Sequence, residues 1–301
     1  MTIKVPIADD FFSAGKELLD FAWDVIAQLL KNLDEAEYFG IDPKEISENY
    51  WLSARRRLTT ALSITQQGVE FVLKGKIAEV SPFLLLADPP SKWPSPYEES
   101  AVDFSAFRTI DAQDLVRVHD TFAKHHLPEE LVSRFHDLRE KRNRIMHSVD
   151  KNVEVHVKDV IDSLLFMHKF LFPREGWASV RLSFLETAPE SELGAGEFSV
   201  NTIGWELELV LALLTPAQVQ AYFGVDKKQR RYVCPGCYSK ANTDSGFEHK
   251  LALLQPKGAS TKTLYCLVCN TTYEVSREDC SIENCPGNVI SDDGMCLTCG
   301  D

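Results

Sequence analysis

The sequence predicts a mainly α fold: an up-and-down helical bundle over residues 1–175, then a small β-rich region holding every cysteine. Three observations carry that expectation. Apolar residues recur at spacings of three and four along most of the first 175 positions, the period of helices with one buried face. No cysteine occurs before Cys234. Beyond it, short runs rich in β-branched and aromatic residues have the character of strands.

The elements follow in order. Phe12, Leu18, Leu19, Ala22, Val25, Ile26, Leu29 and Leu30 predict a helix from 9 to about 33. Phe39-Gly40-Ile41-Asp42-Pro43 reads as a turn. Pro43 suits the first position of the next helix, where a backbone N–H has no partner to lose. That second helix runs to about 80 through Trp51, Leu58, Leu62, Val69, Val72 and Leu73. Residues 82–106 hold five prolines and few periodic apolar positions, and read as a long irregular loop. Asp111 and Asp114 start a short helix to about 123, and Pro128 opens another to about 149. Val157, Ile161, Leu164, Leu165, His168 and Leu171 mark a helix over 155–172, closed by Pro173. An up-and-down bundle buries such stripes most simply. Residues 176–228 read as a helical connector, with Thr215-Pro216 starting a short helix to 223. Strands are expected near 251–254, 263–267 and 272–275 within a 229–275 module, and a more compact module follows over 276–301.

At 301 residues, with 44% hydrophobic and 26% charged residues, the composition is that of an ordinary globular protein. A net charge of −13 argues against broad polyanion binding but leaves room for a local basic patch. No apolar run approaches the roughly 18 residues of a membrane span. The opening MTIKVPIADDFFSAGK lacks a basic start followed by a continuous apolar core, so a cytoplasmic protein without membrane contact is expected.

The cysteines read Cys234-Pro-Gly-Cys237, Cys266-Leu-Val-Cys269, Cys280-x4-Cys285 and Cys296-Leu-Thr-Cys299. Two C-x2-C knuckles around a strand-length insert each offer two thiolates to one tetrahedral Zn²⁺. Disulfides fit poorly without an export signal. The simplest assignment pairs the cysteines in sequential fours, one zinc per set, with an interleaved pairing as the alternative. Because thiolates fill all four positions of each set, both zincs are expected to be structural, with no catalytic metal. Lys227, Lys228, Arg230 and Arg231, near Tyr232, Tyr238, Tyr265 and Tyr273, are candidates to contact RNA phosphates and bases. The alternative is that the tyrosines cover a small core while the charges face water. Zinc ribbons also serve protein contacts, so an inhibitory or sensing protein partner is the other use of this region.

The helix opened by Pro128 carries the remaining signal. Leu131, Phe135, Leu138, Arg142, Ile145 and Val149 recur at alternating spacings of four and three, so Arg142 takes a position where a core residue belongs. An unpaired buried guanidinium is very costly. Either a carboxylate such as Glu70 meets it, or the stripe opens there into a groove with an anionic ligand. Asn143 and His147, four apart, lie on the adjoining strip, and His136 falls at a similar angle. Arg139, Lys141 and Arg144 make the surroundings basic. A guanidinium, an amide and an imidazole together can hold a phosphate and move a proton near neutrality. The plainer reading is a histidine that complements the helix dipole.

Arg142-Asn143-Arg144-Ile145-Met146-His147 resembles the R-x4–6-H motif, in its R-N-x-x-x-H form, of the HEPN superfamily of helical domains. The helical SITQQGVEFVLKGKI (63–77), the SPFLLL break, a short helix and the motif helix also resemble the HEPN order, over residues 8–175. The resemblance implies a metal-independent endoribonuclease whose homodimer brings two motif helices to one shared cleft. Arg142 would hold the scissile phosphate, and His147 would act as general base or acid on the 2′-hydroxyl or the leaving oxygen. Asn143 would orient His147 or the phosphate, with Glu70, Arg139 and His136 in support. The implied product carries a 2′,3′-cyclic phosphate, and the implied setting is a toxin or anti-phage defence effector. Some HEPN proteins have lost activity, so the alternative is a non-catalytic dimeric adaptor presenting zinc ribbons to a protein or nucleic-acid partner.

Overall fold

The computed structural model describes residues 2–93, 102–147, 154–241 and 247–301, leaving out the side chains of Thr2, Ile3, Pro43 and His147. The chain divides into two compact units, Met1–Leu29 with Ala36–Met167, and Leu30–Glu35 with His168–Asp301.

Two long helices frame the first unit: α1, Ala8–Asp34, and α2, Pro43–Ala78. They run antiparallel. The Tyr50 hydroxyl donates to the Leu29 carbonyl at 2.7 Å near one end, while Gly15 meets Gly68 near the other. A Cβ on Gly68 would sit 2.9 Å from the Gly15 carbonyl oxygen, so this close approach of backbones requires glycine. Between these points Leu19, Ile26, Leu58 and Leu62 are buried, as the helical period predicts, and Trp23 is buried with them. The turn into α2 passes through Gly40 at φ +73°, and the Asp42 carboxylate accepts the Lys44 N–H at 2.9 Å ahead of Pro43.

The proline-rich break is anchored where it is described. Leu85 is fully buried, and its carbonyl accepts the Ile110 N–H at 2.8 Å. Ala87 N–H donates to the Arg108 carbonyl at 2.9 Å, so the loop is stitched to its own return segment. Residues 94–101, also in this loop, lie outside the described residues. Strand β1, Thr2–Ile3, pairs in parallel with β2, Val102–Asp103. Beside it Lys4 holds the Asp103 carboxyl at about 2, chiefly by a hydrogen bond. Helices α3, Ala112–Phe122, and α4, Glu129–His147, both pack on α2. Helix α5, Val157–Leu171, is tied to α4 by Arg134, whose Nη1 lies 2.7 Å from Asp162.

The second unit begins with α6, Trp177–Thr187, α7, Ser199–Leu213, and α8, Pro216–Phe223. Within it Asp34 accepts the Trp205 indole N–H at 2.9 Å. Helix α8 starts as the Thr215-Pro216 pair predicts, with a capping box between Thr215 and Gln218. Helix α6 is the element that periodicity does not mark, because Arg181 interrupts the buried face formed by Trp177, Ala178 and Leu182. Its guanidinium is buried against Glu206 of α7, with Nε and Nη2 at 3.1 and 3.0 Å from the two carboxylate oxygens. Removing one partner of such a pair strands a buried charge. Glu206→Ala is therefore expected to destabilise this unit by about 3–5 kcal/mol in urea unfolding, whereas a paired apolar replacement, Arg181→Met with Glu206→Leu, is expected to be nearly neutral. Equal losses in both would show that the ion pair itself is not the source.

A short helix α9, Pro235–Lys240, precedes three antiparallel strands in the order β3, Ala252–Leu254, β4, Thr263–Cys266, and β5, Thr272–Glu274. The chain is thus mainly helical with a small antiparallel sheet near its C-terminus, as the sequence predicts. Among the described residues, no helix is long and apolar enough to cross a membrane.

Candidate functional site

Helix α4 carries Glu129 and Glu130 in its first turn, where carboxylates complement the dipole, and becomes basic toward its end. Leu131, Phe135 and Leu138 are buried at 2%, 1% and 3% exposure. Burial then fades: Arg142, Asn143 and Ile145 are half-buried, and Met146 is 58% exposed. The stripe therefore opens at Arg142. Val149, the next position of the stripe, lies outside the described residues.

No carboxylate neutralises Arg142 among the described residues. Its Nη1 donates to the Asn143 side-chain oxygen at 3.1 Å. Glu70, the obvious counter-ion, is engaged within α2: it lies 3.2 Å from the Lys74 ammonium and accepts from Gln66 at 3.5 Å. One turn before Arg142, Arg139 is half-buried, and its Nε is buried with no hydrogen-bond partner among the described residues. His136 is half-buried with its ring 5.8 Å from that of Phe135. Spacings of three and four place Arg139 beside both Arg142 and Asn143, between their two adjoining strips on α4. The backbone of His147 ends the helix four residues past Asn143, and its side chain lies outside the described structure. Two guanidinium groups without a carboxylate partner retain N–H donors for an oxyanion.

The cysteines form two clusters in sequential fours, each with all four sulfurs within 4.8 Å of one another. In the first, Cys234 to Cys269 and Cys237 to Cys266 are 3.8 and 3.7 Å apart. In the second, Cys280 to Cys299 and Cys285 to Cys296 are 3.8 and 3.9 Å apart. A tetrahedron with Zn–S bonds of about 2.3 Å has S···S edges of about 3.8 Å, far above a disulfide bond. Each group can therefore hold one metal ion. Local geometry fits that use. Backbone N–H groups of Cys237, Val268 and Ile282 point at the sulfurs of Cys234, Cys266 and Cys280 at 3.3–3.4 Å. Asn270 and Gly300, just past Cys269 and Cys299, take positive φ to turn the chain back. A side chain on Gly236 would strike Tyr273, and one on Gly287 would strike Cys296. The Tyr273 hydroxyl, 3.4 Å from the Cys269 sulfur, is pushed well up, first by burial and then by that contact.

The tyrosines are engaged in the module itself. Tyr232 is buried, Tyr265 donates to Asn270, and Tyr238 packs on Phe247. Lys227 caps α7, donating to the Ala212 and Leu214 carbonyls at 3.0 and 2.6 Å. Arg231 is half-buried, and burial lowers its pKa. Lys228 and Arg230 are exposed and share an open basin with Lys257 and Arg277. The last two are distant in the chain and belong to no charge run, so spacing alone does not connect them.

No family model matches the chain, and no curated protein or solved structure is significantly similar to it.

Proposed function

We propose that the protein is a metal-independent endoribonuclease of the HEPN type, acting in the cytoplasm as a homodimer, with one structural zinc in each four-cysteine cluster. The observation that carries this reading is the Arg142 guanidinium, which replaces a core residue, has Asn143 beside it, and has no carboxylate partner among the described residues. The order of α2, a break, the short α3 and the motif helix α4 supports it further. Arg142 and Arg139 hold the scissile phosphate and the charge that builds on it. His147 takes the proton of the ribose 2′-hydroxyl, and that oxygen attacks phosphorus. The bond to the 5′ oxygen breaks, and that oxygen takes a proton from the imidazolium of the facing motif helix. The products are a 2′,3′-cyclic phosphate and a 5′-hydroxyl. Thiolates fill both metal positions, so the zincs shape the C-terminal module and leave the reaction to side chains. A toxin or anti-phage defence role follows from the resemblance in the motif.

The net charge of −13 favours a second reading, a non-catalytic dimeric adaptor that presents its cysteine modules to a protein or nucleic-acid partner. One assay separates the two. Purified protein is incubated with end-labelled total RNA, with and without EDTA, beside His147→Ala. Cleavage that survives EDTA and disappears in the variant is expected. Intact RNA of every class with a folded wild-type dimer would favour the adaptor.

A further inference from the structure

The second unit contains a cationic basin of about 400 Å³ that the ribonuclease reading does not use. Its walls come from three separate segments. Lys228 and Arg230 lie just before the first cysteine knuckle, Lys257 and Gly258 lie in the β3–β4 turn, and Arg277 lies beyond β5. Four cations thus converge, and one carboxylate meets them: Asp226, 2.8 Å from Lys257. Asp226 also feels the charge of Lys228, while Arg230 and Arg277 have no carboxylate within ion-pair distance among the described residues. That excess is notable in a chain whose net charge is −13.

The basin is also built to hold its shape. Arg277 donates Nε and Nη2 to the carbonyl and side-chain oxygen of Asn288 at 3.0 and 3.2 Å, and Nη1 to the Thr261 carbonyl at 3.3 Å. A guanidinium has five N–H donors, so two remain. Arg230 reaches Thr298 at 3.2 Å, next to Cys299, and lies over the ring of Tyr232. The two cysteine modules therefore fix these side chains between them. Tyr232 is buried beneath Arg230, so the basin presents charge rather than a free aromatic face for a base.

We propose that this basin binds phosphate groups of a single-stranded polynucleotide, by charge and without reading sequence. Its open mouth, with Lys228, Arg230 and Lys257 exposed, suits a backbone passing across it better than enclosure of a small anion. The proposal stands independently of the ribonuclease reading. Its test uses a fluorescein-labelled 20-nucleotide single-stranded DNA, which has no 2′-hydroxyl to attack, and the full-length zinc-loaded protein.

Fluorescence anisotropy in 50–200 mM salt is expected to show binding that weakens with salt, log K falling by about 0.7 per phosphate neutralised for each tenfold rise in salt. Lys228→Glu, at an exposed side chain with no side-chain hydrogen bond or ion pair among the described residues, is expected to weaken binding about tenfold and flatten the salt slope. Lys240→Glu, outside the basin in the same unit, is expected to change affinity less than twofold. Arg277→Gln reports on the basin floor, provided it retains two zincs per chain. Unchanged affinity in both Lys228→Glu and Arg277→Gln would overturn the proposal, as would no binding by wild type at the lowest salt. Displacement of the DNA from wild type by millimolar pyrophosphate at constant ionic strength supports the same phosphate chemistry. Pyrophosphate binding that Lys228→Glu abolishes while DNA binding persists would assign the basin to small phosphates and overturn the polynucleotide claim.

Discussion

Replacing Arg142 by alanine is expected to slow RNA cleavage by about 10²–10³-fold, the usual cost of removing one donor that stabilises transition-state charge. The effect on stability should be small. Arg142 is half-buried at the point where the stripe opens, and its hydrogen bond in the described structure goes to its neighbour Asn143. Arg142→Lys keeps the charge but loses the bidentate fork, so it should fall between wild type and alanine. Initial rates on end-labelled RNA, paired with thermal unfolding of each variant, check this. Cleavage lost in step with a lowered melting temperature would make Arg142 a structural residue.

The cysteine clusters carry the second large effect. Wild-type protein is expected to hold two zinc ions per chain by native mass spectrometry, and Cys266→Ser to hold one. Structural zinc in small modules binds with about 10–16 kcal/mol, far beyond what a three-stranded sheet of this size stores on its own. Loss of the first zinc should therefore unfold the segment around β3–β5 and expose it to protease, while the helices of the first unit remain. Acid acts in the same direction. Zinc binds thiolates, so protons compete with it, and release is expected as pH falls. Two zincs retained in Cys266→Ser, or protease resistance in a zinc-free wild type, would contradict the assignment.

How much of this was legible in the sequence depends on the range of the interaction involved. Asp42-Pro43 announces the start of α2 because capping is local chemistry, and the capping box at Thr215 is legible for the same reason. Cysteine spacing separates the two clusters because a C-x2-C turn is also local. Helix α6 is hidden, since its buried face includes Arg181, and the Glu206 that makes this tolerable lies 25 residues away. The stripe of α4 locates Arg142, but neighbouring positions cannot reveal that Glu70 is engaged by Lys74. Charge runs mislead in a similar way. Lys227 and Lys228 look equivalent in sequence, yet one caps α7 and the other lines the basin. Lys257 and Arg277 join that basin only through the fold of the sheet.

The chemistry of the cut ends tests the central claim most directly. RNA cleaved by the full-length protein in metal-free buffer is analysed by mass spectrometry of the fragments. The account predicts 2′,3′-cyclic phosphate and 5′-hydroxyl ends, with no cleavage where the nucleotide 5′ to the cut lacks its 2′-hydroxyl. Fragments with 5′-phosphate and 3′-hydroxyl ends, or cleavage that requires added divalent metal, would contradict it.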